Sequence, residues 1–129
     1  MSAEIDADLA AIEATVRTYL DGLYEGDADK LAAAFHPTSA LAQSVDGEIK
    51  IVPREQWLAA VRTRPSPKAQ GLARHDRIVS IDRVGPTMAA VKVQCAIPPR
   101  FFVDLLSLLK IDGRWQIAQK VFQTETRAG

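Results

Sequence analysis

Two Asp-Gly dipeptides, Asp46-Gly47 and Asp112-Gly113, each stand between runs of strand-forming residues. Asp-Gly supplies the positive φ angles that a two-residue turn between antiparallel strands needs, so each marks a hairpin. The first joins Ser39–Val45 to Glu48–Val52, and the second joins Phe101–Ile111 to Trp115–Thr124. Between them lie two further strand-like runs, Ala73–Val84 and Met88–Ile97, turned by Gly85-Pro86; Val91, Val93 and Cys95 alternate cleanly in the second. Pro98-Pro99 reads as a break or bulge before the last hairpin.

The helices come first. Ile5, Leu9, Ile12, Val16, Tyr19, Leu20 and Leu23 recur at spacings of three and four, one face of a 3.6-residue period. Gly26 punctuates this helix, and Asp27 is placed to cap a second, shorter one carrying Leu31, Ala34 and Phe35. His36-Pro37 ends it, because the residue before proline is pushed out of helical geometry. A third helix opens at Pro53, carries Trp57, Leu58 and Val61 on one face, and stops at Arg64-Pro65-Ser66-Pro67; Lys68–Gly71 is loop. Helices followed by hairpins predict an α+β fold, with helices gathered on one face of a mixed, mostly antiparallel sheet, as one domain over 1–129.

Lys+Arg 16 against Asp+Glu 16 argues against nucleic acid as a partner, since phosphate binding needs a basic excess on one face. No run approaches a membrane span, and the acidic start MSAEIDADLA is unlike a signal peptide, so a cytoplasmic protein without membrane association is expected. One cysteine, Cys95, and two histidines, His36 and His75, give neither a disulfide nor zinc-ligand spacing, and no metal or cofactor is expected.

Pairing the last hairpin outward from Asp112-Gly113 sets Ile111 opposite Arg114, Ser107 opposite Ala118 and Leu105 opposite Lys120. One face then carries Phe101, Val103, Leu105, Ser107 and Leu109 with Ala118, Lys120 and Phe122; the other carries Phe102, Asp104, Leu106 and Leu108 with Trp115, Ile117 and Val121. Both are too apolar to be a wet face. The first is expected to cover the helices. The second, through Leu106, Leu108, Trp115 and Ile117, is expected to form a homodimer, unless a loop or the N-terminal segment covers it within one chain. Asp104 falls in that interface, although a one-residue bulge would reverse its side.

The segment from Tyr19 to Asp27, the Phe35-His36-Pro37 step and the closing run from Leu108 to Phe122 resemble the nuclear transport factor 2-like (NTF2-like) superfamily, over nearly the whole chain. Within it the chain is most similar to the lumazine-binding group beside the SnoaL-like cyclases. The resemblance implies a cone-shaped α+β roll of the cystatin-like kind, its curved sheet wrapped around the first helix with a ligand cavity inside, and dimerisation through the outer sheet face. The fold hosts binders as well as isomerases, dehydratases and cyclases, so it does not name a reaction.

Ketosteroid isomerase, a member of that superfamily, works with a carboxylate base against a tyrosine and a protonated aspartic acid. Carried onto this chain, its tyrosine falls on Tyr19, its base on Gln43 and its oxyanion acid on Ser107. Glutamine cannot take the proton and serine is a weaker donor, so that constellation is not complete. Lys120 is the sharper anomaly, because a core-facing lysine either snorkels to a rim beside a carboxylate or stands desolvated as a base, a Schiff-base amine or an anion anchor. His36 either lines the cavity mouth or holds the helix-to-strand turn. Tyr19 and Trp57 serve either core or ligand. The expectation is a small-molecule binder for a flat or apolar ligand, contacting Tyr19, Gln43, Trp57, Ser107 and Phe122. The alternative is an isomerase, dehydratase or cyclase in which Lys120 or His36 performs acid–base work.

Overall fold

The computed structural model describes residues 2–127, and side-chain burial from residue 7 onward. Helix α1 (Ser2–Glu25) lays Ile12, Val16, Tyr19, Leu20 and Leu23 into the core; the side chain of Ile5 lies outside the described residues. Gly26 adopts φ 68°, which lets the Asp27 N–H reach back to the Gly22 carbonyl at 2.9 Å. The Asp27 side chain then accepts from the Asp29 and Lys30 N–H groups at 3.0 and 3.2 Å and starts α2 (Ala28–Ala34).

Strands β1 (Phe35–Val45) and β2 (Glu48–Pro53) precede α3 (Arg54–Thr63), and β3 (Arg77–Val84), β4 (Met88–Ile97), β5 (Arg100–Ile111) and β6 (Arg114–Thr126) complete the chain. The sheet order is β2-β1-β6-β5-β4-β3, with β1 parallel to β6 and every other pair antiparallel. This is the expected α+β arrangement, three helices covering one face of a six-stranded mixed sheet. Both Asp-Gly turns have positive φ at each central residue: 52° and 81° at Asp46-Gly47, 53° and 75° at Asp112-Gly113. The Arg54 guanidinium donates to the Ala32 and Phe35 carbonyls at 3.1 and 3.0 Å, satisfying the end of α2 and fixing α3 above the sheet.

At the far end of the sheet, Asp8 ties α1 to the strands. Its Oδ1 accepts from Lys110 Nζ at 3.0 Å and from Trp115 Nε1 at 3.1 Å, and its Oδ2 pairs with Arg83 at 2.6 Å. The Trp115 and Lys110 hydrogen bonds hold the Asp8 carboxyl below its ordinary value.

Three element boundaries differ from the expectation. Phe35, His36 and Pro37 belong to β1, which begins in an irregular stretch: Phe35 pairs with Ile117 but Ala40 already pairs with Gln119. Strand β3 begins at Arg77. Pro98-Pro99 is a two-residue connection across which β4 and β5 pair without interruption, from Met88–Leu109 to Ile97–Arg100.

The larger correction concerns the faces. Pairing from the Asp112-Gly113 turn runs as expected through Leu108 with Ile117, then Ala118 is left over and Ser107 pairs with Gln119. This bulge puts Leu106 opposite Lys120 and Asp104 opposite Phe122. The face beneath the helices is therefore the one carrying Asp104, Leu106, Leu108, Trp115 and Ile117, all at most 4% exposed. Leu106, Leu108, Trp115 and Ile117 form core, so they cannot meet a second subunit. They are the bulkiest apolar set of the hairpin, and burying them contributes more than burying Leu105, Ser107, Leu109 and Gln116. The outward side instead presents a row, Ile51, Ala42, Val121, Leu105 and Lys92, running strand to strand across β2, β1, β6, β5 and β4. Among the described residues no helix is long and apolar enough to cross a membrane.

Candidate functional site

On the inner face two rows run across the sheet. One is Val52, Leu41, Lys120, Leu106, Val91 and Ile81; the next includes Phe122, Asp104, Val93 and Ile78. Each places a single charge among apolar neighbours, and the two charges meet. Lys120 Nζ lies 3.8 Å from Asp104 Oδ2, with the Lys120 side chain 6% exposed and that of Asp104 fully buried. Asp104 Oδ2 also accepts the Tyr19 hydroxyl from α1 and the Cys95 thiol from β4, the latter at 3.4 Å. Its Oδ1 has no hydrogen-bond partner.

Burial, reinforced by the Asp104 carboxylate, pushes the Tyr19 phenol well above its ordinary range, so it stays a neutral donor. Burial likewise pushes the Cys95 thiol up, removing it as a thiolate nucleophile. Lys120 is also boxed by aromatic rings, its Nζ 4.6 Å from the Phe122 centroid, 5.1 Å from Tyr19 and 5.2 Å from Trp57. Ring faces attract an ammonium, so the box and the carboxylate act together on one cation.

Above Lys120 opens a cavity of about 320 Å³, walled by α3, β1, β2, β5 and β6. Leu23, Leu41, Val52, Trp57, Ile97, Phe102 and Phe122 supply its apolar wall; Gln43, Gln56 and Thr124 supply neutral polar groups. The volume lies at the small end of ligand sites and suits a compound of one or two rings. Asp104 and Tyr19 do not line it. They stand behind Lys120, which is the group they present.

Of the residues expected from sequence, Gln43, Trp57, Lys120 and Phe122 line this cavity. Tyr19 underlies it. Ser107 is exposed on the opposite face, because β5 alternates and turns its neighbours Leu106 and Leu108 into the core; the bulge at Ala118 moves Lys120 off the Ser107 side. His36 is also outside: its Nδ1 is 2.8 Å from Thr38 Oγ1 and accepts the Thr38 N–H at 3.2 Å, holding the irregular start of β1. His75 lies against Phe101 at 5.4 Å with the rings tilted, beside a second depression of about 320 Å³; of its charged residues Asp76, Glu125 and Arg127 pair with neighbours in sequence, and Arg77 makes no ion pair with a described residue. Asp104 is the residue that sequence reasoning put on the wrong side. Its signal was there, as the lone charge between Phe101 and Leu109. Among the described residues no cluster of His, Cys, Asp and Glu could hold a metal ion.

Comparison with known proteins agrees with this fold. A curated relative, Aldolase FrzH of Cladobotryum sp, is 29% identical over 119 residues, covering 91% of each chain. An NTF2-like protein of unknown function from Methylobacillus flagellatus KT has the same fold at TM-score 0.80 and 27% identity, over 93% of this chain and 94% of that one. A ketosteroid isomerase-like protein from Erwinia carotovora atroseptica SCRI1043 superposes at TM-score 0.72 with 18% identity, over 93% and 98% of the two chains. The family model described as "Putative lumazine-binding" matches residues 7–123, and the chain belongs to that family, within the NTF2-like superfamily.

Proposed function

We propose that this protein takes a small, flat carbonyl compound into the cavity above Lys120 and acts on it by carbonyl chemistry of the aldol type. The observation that carries the reading is the buried Lys120–Asp104 pair at 3.8 Å, with Lys120 in the wall of the cavity. An enolate or alkoxide forming beside Lys120 meets a fixed positive charge that is itself nearly buried, where such a charge acts most strongly. Asp104 neutralises Lys120 before substrate arrives, and Tyr19 holds Asp104 in place. Trp57 and Phe122 line the cavity and offer apolar contact to a planar compound. The name of the FrzH relative supports carbon–carbon bond chemistry at a carbonyl. This reading gives Lys120 an electrostatic role and leaves His36, which does not line the cavity, out of the chemistry.

The test is aldol cleavage or formation with a panel of small aldehydes and ketones, comparing the native chain with Lys120→Arg and Lys120→Met. Turnover lost in Lys120→Met and partly kept in Lys120→Arg, while saturable binding persists in both, supports the reading. Turnover that is unaffected in Lys120→Met refutes it. The family's description favours a second reading, a binder without turnover, and saturable binding with no product from any of the panel would select it.

The exposed row of Ile51, Val121 and Leu105, with Ile51 at 63%, Leu105 at 55% and Val121 at 52%, supports a homodimer through the outer sheet face. Sedimentation of Leu105→Lys as a monomer beside a native dimer is the expected outcome. A native monomer at micromolar concentration would refute it.

A further inference from the structure

We propose that the compound taken by this cavity is an anion, whose acidic group is received by Arg64 and Arg100 at the mouth while its carbonyl oxygen faces Lys120. The inference rests on the reading of the cavity as a ligand site and names the class of compound that fills it.

Four cations line the cavity, Lys50, Arg64, Arg100 and Lys120, and no aspartate or glutamate does. This is a local segregation, because the chain as a whole has formal net charge zero. Among the ion pairs of the described residues only Lys120 of these four has a carboxylate partner. The two arginines come from separate elements, Arg64 from the C-cap of α3 and Arg100 from the start of β5, and converge on one opening. Arg64 is half-buried there, and neither guanidinium donates a hydrogen bond to a described protein group. Burial, and then the charge of Arg100, lower the Arg64 pKa, as expected of like charges held close without a counter-ion. A position at the end of α3 accounts for a cation near the helix C-terminus. It does not account for a second arginine brought beside it from the sheet.

Two guanidinium forks with free N–H groups match a carboxylate or a phosphate. In the same cavity Lys120 is buried while Arg100 is exposed and Arg64 half-buried, so a bound anion is oriented with its acidic end at the arginines and its reacting carbon toward Lys120. The arginines are then specificity determinants, and Lys120 keeps the chemistry.

The experiment titrates the full-length chain with phenylpyruvate, with phenylacetone as the neutral counterpart in which methyl replaces carboxylate, and with phenyl phosphate, reading tryptophan fluorescence and heat. Phenylpyruvate or phenyl phosphate should bind about tenfold or more tightly than phenylacetone, with a preference that shrinks as salt is raised. Whichever anion binds tighter identifies a carboxylate or a phosphate as the natural group. Arg64→Met and Arg100→Met should each erase most of that preference while leaving phenylacetone affinity in place, and Arg64→Lys should restore part of it. Circular dichroism checks that the variants fold. Equal binding of anion and neutral compound, or a preference that survives both Met variants, would overturn the anion assignment and leave the cavity reading standing. Failure of all three probes to bind would overturn both.

Discussion

Replacing Lys120 by Met removes a cation whose only ionic partner is a fully buried carboxylate. Asp104 Oδ2 would keep the Tyr19 and Cys95 donors, but Oδ1 already lacks a partner, and among the described residues no second cation forms an ion pair with it. Breaking one half of a buried ion pair costs about 3–5 kcal/mol, because the remaining charge stays out of water uncompensated. Burial is nearly complete on both sides, so solvent screening gives little relief. Unfolding a domain of this length carries an entropy such that each kcal/mol moves Tm by about 3–4 °C, so the variant should melt about 10–20 °C lower. Methionine matches the lysine stem in volume, which keeps packing loss out of the comparison. The double variant Lys120→Met/Asp104→Asn removes the stranded charge and preserves an acceptor for Tyr19. It should recover about half or more of the loss, a coupling of about 2 kcal/mol in a double-mutant cycle. Scanning calorimetry on the native chain, Lys120→Met, Asp104→Asn and the double variant reads this directly. A Lys120→Met variant as stable as the native chain, or more stable, would refute the ion-pair account of this site.

Two further predictions concern the frame. Asp8→Asn should destabilise the chain at neutral pH, and the gap to the native protein should close as pH falls below about 3.8, because a carboxyl held below its ordinary value stabilises the fold only while ionised; urea titrations at a series of pH values check it. Gly26→Ala should cost about 2 kcal/mol or more in the same assay, since the residue sits at φ 68° and an added Cβ would lie 2.7 Å from Ser66 Cβ.

The hairpins, the helical face of α1 and the cap at Asp27 were legible in sequence because each depends on residues a few positions apart. The Asp-Gly turns even set the correct pairing from Ile111–Arg114 back to Leu108–Ile117. What the sequence concealed was a single unpaired residue, Ala118, which has no compositional signature. Strict alternation carried past it put Lys120 on the side of Ser107, whereas the folded strand puts it beside Asp104, on the face with Trp115 and Ile117. Lys120 faces inward, but through the bulge and not through strict alternation. The choice of which apolar face lies under the helices follows from side-chain volume: Trp115, Ile117, Leu106 and Leu108 outweigh Leu105, Leu109 and Ala118. The convergence of Arg64 and Arg100 was also out of reach, because 36 positions separate them and the fold alone brings both to one opening.

The central claim is that a ligand meets Lys120 inside this cavity. The most direct measurement is the nuclear magnetic resonance of 15N-labelled lysine side chains and tryptophan indoles during titration with phenylpyruvate. The account predicts saturable shifts of the Lys120 ammonium and the Trp57 indole, with Lys68 and Trp115 unmoved. Shifts at residues around His75 and Arg127, with Lys120 unchanged, would contradict it.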